Sequence, residues 1–283
     1  MLYLKEYPDM IRKTVGGTGQ DGGMCRSDAK RSDRRRMNYR IVVSYDGTRY
    51  NGWQKQKTTE DTIQGKLETL LSRMAGKEVT VQGSGRTDAG VHALAQTANF
   101  RMETELSEQE LMDAINGYLP EDIAVLSLKT ASERFHSRYN AIAKTYEYRL
   151  YIGNAKPVMD RKYVWQPEEK PDLERMRTAA AYVLGEHDFK SFCGNKKMKK
   201  PTVRRIDRIE VEEIPERQEA VLRFTGNGFL QNMVRILTGT LVECGQGKRE
   251  PEQMREILEA KDRSAAGMTA PAKGLSLVRV DYQ

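Results

Sequence analysis

Apolar residues alternate through YRIVVSY, putting Tyr39, Ile41, Val43 and Tyr45 on one face, and that period of two predicts a β-strand. The period then changes. In TIQGKLETLLSRMAG, Ile63, Leu67, Leu70, Leu71 and Met74 fall on one helical stripe, with Thr62 placed as N-cap and Gly76 as stop. EVTVQG predicts a second strand and ALAQTANFRM a third. SEQELMDAINGYLP predicts a helix that opens on a capping box, Ser107 with Glu110, turns Leu111 and Ile115 inward, and ends at Gly117 and Pro120. DIAVLSL is a fourth strand. The order β-α-β-β-α-β predicts a ferredoxin-like unit, an antiparallel sheet with both helices on one face and the other face free for a partner.

A looser version of the pattern follows. KTYEYRLYI predicts a strand, and DLERMRTAAAYVLGE a helix with Leu173, Met176, Ala180 and Val183 inward. TVRRIDRIEVEEI and EAVLRFTG predict paired strands. GFLQNMVRILTGTLVECG predicts a helix whose stripe is Met233, Ile236, Leu237, Thr240, Leu241 and Cys244. PEQMREILEAK is a shorter helix and GLSLVRVDY a closing strand. The chain therefore divides into two α+β halves, 37–140 and 141–283. Residues 1–36 are rich in Gly, Ser, Asp and Arg with almost nothing to bury, and are expected to be a disordered basic extension. Two readings of the extension stay open, translation beginning at Met37 or a genuine basic tail that helps hold RNA, and the intact mass of the native protein decides between them.

Apolar residues make up 38% of the 283 and charged residues 31%, the balance of a globular protein in water. No run of about 18 apolar residues occurs, so no segment is expected to span a membrane. Cys25, Cys193 and Cys244 are far apart and unpatterned, as are His92, His136 and His187, so neither a disulfide framework nor a metal site is expected. That usage fits a reducing cytoplasm. The net charge of +7 suggests nucleic acid, yet residues 1–36 carry +4 of it. One cluster is stronger: KKMKKPTVRR places Lys196, Lys197, Lys199, Lys200, Arg204 and Arg205 within ten residues. It is either a solvated loop or, beside an RNA-sized cleft, a neutraliser of phosphates.

The densest chemistry lies in GSGRTDAGVHALAQTANF, where Arg86, Thr87, Asp88 and His92 fall within seven residues punctuated by Gly83, Gly85 and Gly90. Asp88 could cap a turn with its own side chain, or the glycines could hold it in a cleft. Five stretches resemble the TruA family, the tRNA pseudouridine synthases: YDGTRYNGWQKQ at 45–56, GRTDAGVHA at 85–93, RFHSRYNAIAKTYEYRLY at 134–151, NGFLQNMVRILTGTLVECGQG at 227–247 and APAKGLSLVRVDY at 270–282. They occur in the family's order from about residue 38 to the C-terminus.

The resemblance implies a pseudouridine synthase fold, two ferredoxin-like (RRM-like) halves whose sheets form one extended antiparallel surface flanked by helices, with 37–140 as catalytic domain and 141–283 as C-terminal domain. It implies an isomerase that turns uridine into pseudouridine in the anticodon stem-loop of tRNA, typically at tRNA positions 38–40, without a cofactor. Asp88 becomes the catalytic carboxylate, as nucleophile or as base. Arg235, two positions from Met233 and so rotated away from the apolar stripe, becomes the partner that keeps Asp88 ionised. Tyr146 becomes the ring stacked on the target base, while Tyr148 stays in the core. Arg86 holds a phosphate or fills the space that an extruded base leaves. Lys196, Lys197, Lys199 and Lys200 become RNA contacts. His92 is structural or phosphate-facing, Asp46 a turn residue, Trp53 a loop anchor, and APAKGL structural. A cytoplasmic homodimer bound to tRNA, without membrane contact, completes the expectation. A paralogue acting on other RNA sites is the alternative. A non-catalytic RNA-binding module is a further one, disfavoured because no aromatic RRM signature of the Lys-Gly-Phe-Gly-Phe kind occurs.

Overall fold

The computed structural model describes residues 36–195 and 197–283. The expectations for residues 1–35, for Cys25 and for Lys196 lie outside the described residues.

The first half is built as its periodicity dictates. β1 (Met37–Tyr45) buries Tyr39, Ile41, Val43 and Tyr45. α1 (Ile63–Ala75) starts where the Thr62 side chain accepts from Gly65 N–H and stops at left-handed Gly76, φ 64°. β2 (Val81–Gly83) and β3 (His92–Met102) flank the glycine-rich loop. α2 (Glu108–Tyr118) carries the full capping box: Glu110 N–H donates to Ser107, and the Glu110 carboxylate accepts from Ser107 N–H. β4 (Ile123–Ala131) closes the unit. Within it β4 pairs β1, β1 pairs β3 and β3 pairs β2, all antiparallel.

The second half contributes β5 (Ala141–Tyr151), α3 (Leu173–Ala181), β6 (Gly185–Asp188), β7 (Val203–Ile214), β8 (Glu219–Gly226), α4 (Met233–Gly245), α5 (Gln253–Ala260) and β9 (Leu275–Tyr282). One nine-stranded sheet results, in the order β4-β1-β3-β9-β5-β8-β7-β6, with β2 added on β3. Its seam is the pairing of β3 with β9. Among the described residues this is the one parallel pairing between two of these strands, and it joins His92 to Ser276 and Ala93 to Leu277. The glycine-rich loop therefore enters the sheet where the two halves meet. Among the described residues no helix is long and apolar enough to cross a membrane.

Two elements depart from the sequence pattern. α3 ends at Ala181, and the residues read as its last turn instead lead into β6. GEHD shows no apolar alternation, and this four-residue edge strand is held by main-chain pairing to β7. α4 begins at Met233 and not at Gly228, because Asn232 adopts a left-handed conformation, φ 59°.

The caps give a stability test. Ser107→Ala should lower the stability read from urea denaturation by about 1 kcal/mol. Gly117→Ala, in α2 with nothing near the added methyl, should raise it by roughly 0.5–1 kcal/mol. Both should shift the midpoint without changing the slope.

Candidate active site

The stretch 45–56 braces the glycine-rich loop from behind. Trp53 N–H donates to Thr87 O at 3.1 Å and Gly90 N–H to Tyr50 O at 3.2 Å. The buried Tyr45 hydroxyl meets Thr87 Oγ1 at 2.9 Å. Gly52 permits this approach: its φ is +88°, and a Cβ there would lie 2.6 Å from Thr87 O. Trp53 is buried and its main chain also ties the loop to α1, accepting from Gln64 N–H at 2.9 Å. Asp46 is a turn residue here. It caps the short 3-10 turn Gly47–Arg49 by accepting from Thr48 N–H at 2.9 Å. His92 is a buried strut: Nδ1 accepts from Gly47 N–H at 3.0 Å, and Nε2 faces the carbonyls of Lys162 and Lys273, each at 3.2 Å.

This bracing presents Asp88 to the first turn of α4, across the seam. Asp88 Oδ2 accepts from Asn232 Nδ2 at 2.6 Å and from Arg235 Nη1 at 3.3 Å. Oδ1 takes no hydrogen bond from any described residue. The Asp88 side chain is 26% exposed and that of Arg235 16%, so the pair is only partly screened by solvent. A carboxylate at the first turn of a helix also gains from the helix dipole. Arg235 is aimed by its second bond, Nε to Ala270 O at 2.8 Å, while Ala270 N–H donates to Arg235 O at 3.1 Å. APAKGL thus supports the arginine through Ala270 and accepts the Tyr148 hydroxyl at Pro271 O, 2.8 Å.

Asn232 is the contact that the sequence pattern did not single out. A polar residue just before an apolar helical stripe reads as an N-cap. It holds that position, yet its side chain makes no cap bond and reaches Asp88 instead. The left-handed backbone turns it there. Gly194 leaves the room, since a Cβ on it would lie 2.1 Å from Asn232 Oδ1.

Tyr146 stands on β5 with its ring edge-on to Phe229, centroids 5.3 Å apart. Burial pushes its hydroxyl well above the usual tyrosine range, and the charges of Tyr45 and Asp88 add to the rise. The phenol stays protonated at neutral pH. Tyr148 is fully buried, on the same strand face. Arg86 is exposed, with Nε donating to Gln54 Oε1 at 2.9 Å. The structure thus gathers Asp88, Arg235, Asn232 and Tyr146 at one place and puts Arg86 on the outer edge of the same loop. Lys197, Lys199 and Lys200 are exposed in the loop before β7, which is rooted beside Asn232 by the Gly194 N–H bond to Gln231 O, 2.8 Å. No group of three His, Cys, Asp or Glu among the described residues is placed to hold a metal ion.

A family model described as tRNA pseudouridine synthase matches residues 41–140 and 179–283. The chain is 44% identical over 245 residues to tRNA pseudouridine synthase A of Bacillus sp. (strain KSM-64), covering 87% of this chain and 99% of that protein. It is 42% identical over 245 residues to tRNA pseudouridine synthase A 2 of Bacillus anthracis, with the same two coverages. It is 44% identical over 246 residues to tRNA pseudouridine synthase A 1 of Clostridium tetani, again covering 87% and 99%.

The bracing is testable apart from any activity. Gly52→Ala combines a left-handed backbone with a clash against main chain, and should cost roughly 2 kcal/mol in denaturant unfolding. A wild-type midpoint for this variant would show that the two stretches do not need their close approach.

Proposed function

The chain belongs to the tRNA pseudouridine synthase family, isomerases that act on uridine in tRNA, and from this premise we propose that it modifies the anticodon stem-loop with Asp88 as its catalytic carboxylate. The observation that carries the proposal is the state of that side chain: it is partly exposed, Asn232 and Arg235 fix one oxygen, and the other takes no hydrogen bond from a described residue.

The reaction breaks the bond from C1′ to N1 of uracil and makes one from C1′ to C5. N1 gains a proton and C5 loses one, so no external reactant is required. An anionic carboxylate at the glycosidic carbon suits this exchange. Arg235 and the Asn232 amide aim Asp88 through two hydrogen bonds to one oxygen, of the charge-assisted kind that fixes a carboxylate firmly. A uridine within a helix is out of reach, so the base is extruded at a cost of a few kcal/mol. The Tyr146 ring then lies against it as a neutral, dry surface. Arg86, at the rim, holds the adjoining phosphate or fills the vacated space. Lys196, Lys197, Lys199 and Lys200 extend the contact along the RNA backbone. The working unit is a cytoplasmic homodimer, which light scattering of the purified protein checks.

Pseudouridine mapping of total RNA from a deletion strain, rescued by wild type or by Asp88→Asn, tests the reading. Asp88→Asn should leave the target uridines unmodified while tRNA affinity stays near wild type; restored pseudouridine would refute the assignment. Asn232→Ala removes a charge-assisted hydrogen bond worth about 1.5–3 kcal/mol, so kcat should fall about 10- to 100-fold with KM little changed. Asn232→Asp should move the acidic limb of the pH–rate profile upward, because two adjacent carboxylates share a proton. Replacing the four lysines by alanine should flatten the salt dependence of tRNA binding by up to about one slope unit for each lysine that meets a phosphate. An unaltered slope would place the cluster outside the RNA footprint.

A further inference from the structure

Three cations from separate segments converge beside Tyr146, and none has a carboxylate partner among the described residues. Lys144 lies two residues before Tyr146 on the same face of β5, about 7 Å away along the strand. Its Nζ donates to Ser84 O at 2.7 Å, at the start of the loop that carries Asp88. Arg138 stands on a turn pinned to the same region: Ser137 N–H donates to Asn99 Oδ1 at 2.9 Å, its hydroxyl donates to Gln82 O, and its carbonyl accepts from Tyr282. The sheet register brings in Arg204. Lys144 pairs with Gly226 of β8, and Gly226 pairs with Ile206 of β7. Arg204 is two residues from Ile206 on the same face, and Gly226 puts no side chain between it and Lys144.

The lack of counter-ions does not extend along the strand. Next to these cations on β7, Arg205 pairs with Asp207 at 2.7 Å and Arg208 with Glu210 at 3.2 Å. Burial, then the charges of Arg138 and Arg204, push the Lys144 ammonium down to about 8, and burial lowers Arg204. Arg204 Nη1 donates to Pro201 O at 3.0 Å and Val203 O at 2.6 Å, and Lys144 to Ser84 O, so neutral carbonyls meet both heads and leave their charges, and that of the exposed Arg138, without an anion. The residue after Arg138 is Tyr139, 79% exposed, with its ring 4.3 Å from that of His136. An exposed tyrosine packed against a half-buried histidine beside a basic site fits a nucleotide better than a free anion.

We propose that Arg138, Lys144 and Arg204 form a backbone-phosphate subsite for RNA next to the extruded nucleotide, an assignment that rests on the tRNA-isomerase reading above. The subsite fixes the sugar–phosphate beside Tyr146 while Asp88 meets the sugar and base.

The test measures affinity of the full-length protein for an anticodon stem-loop RNA over a range of salt concentrations. Arg138→Gln, Arg204→Gln and Lys144→Met should each reduce the salt slope by about one. Thermal unfolding identifies any variant that fails to fold, and the exposed Arg138 keeps the test alive if Lys144→Met does. Independently of any variant, neutral methylphosphonates placed singly around the target uridine should reveal one position that weakens wild-type binding. Arg138→Gln should add no further loss to that modified RNA. Wild-type slopes in the folded variants, or losses that add fully at every methylphosphonate position, would overturn the subsite. Competition by inorganic phosphate at constant ionic strength, with no methylphosphonate effect, would mark a free-anion site and also overturn it. Pseudouridine formation by the wild type keeps the two proposals separable: with turnover intact and slopes unchanged, only the subsite falls, whereas no turnover on any tRNA removes the isomerase reading itself.

Discussion

The contact between Asp88 and the first turn of α4 is the one on which the rest of this molecule depends. It crosses the seam between the halves, where the sheet itself is weakest, with only two residue pairs joining β3 to β9. A half-buried carboxylate is costly to leave without hydrogen-bond partners. Here two donors from α4 meet one of its oxygens. Those bonds require the loop to stand at one height above the sheet. The main-chain ties from Trp53 to Thr87 and from Gly90 to Tyr50 set that height. The stretch 45–56 thus acts on the carboxylate without touching it.

Much of this was legible in the sequence because the residues concerned act locally. β1, α1 and α2 are written in apolar periods and in caps whose partners lie three residues away, so their sequence carries both halves of each interaction. β6 was not legible: its stabilising bonds run through the main chain to β7, which no side-chain pattern records. The same holds at the site. Arg235 could be picked out only through the family resemblance, since its position off the apolar stripe by itself reads as a surface arginine. Asn232 could not, since a left-handed backbone redirects a side chain that otherwise reads as an ordinary cap. The role of Gly194 is equally non-local, because only its distance to Asn232 reveals it.

The net charge is a poor guide to where a polyanion would sit; pairing is a better one. Arg149 is matched to the buried Glu219 at 2.6 Å, Arg223 to Glu147 and Glu212, and Arg249 to Glu243. These arginines serve the fold, and their charge is already answered. Among the described residues, Arg138, Lys144 and Arg204 beside Tyr146, and Lys197, Lys199 and Lys200 in the loop that leaves Gly194, have no such carboxylate. A surface can therefore be nearly neutral in sum and still present one strongly electropositive strip, because ion pairs elsewhere remove their members from the far field.

β5 shows how a single strand can organise such a strip. Its residues at intervals of two share a face, and along that face their surroundings grade from wet to dry. Lys144 is partly exposed, Tyr146 is 7% exposed and Tyr148 is fully buried, with its hydroxyl tied to Pro271 O. The gradient follows from what covers each position. Tyr148 lies under the 271–274 segment, Tyr146 beside Phe229 and the Asp88 loop, and Lys144 at the edge next to a glycine. Under the proposed function the same order runs from phosphate to base to protein interior, so the nucleotide's own polarity would match the strand's. A strand whose period is two can offer those environments at a fixed spacing, and its pairing on both sides with β8 and β9 holds that spacing.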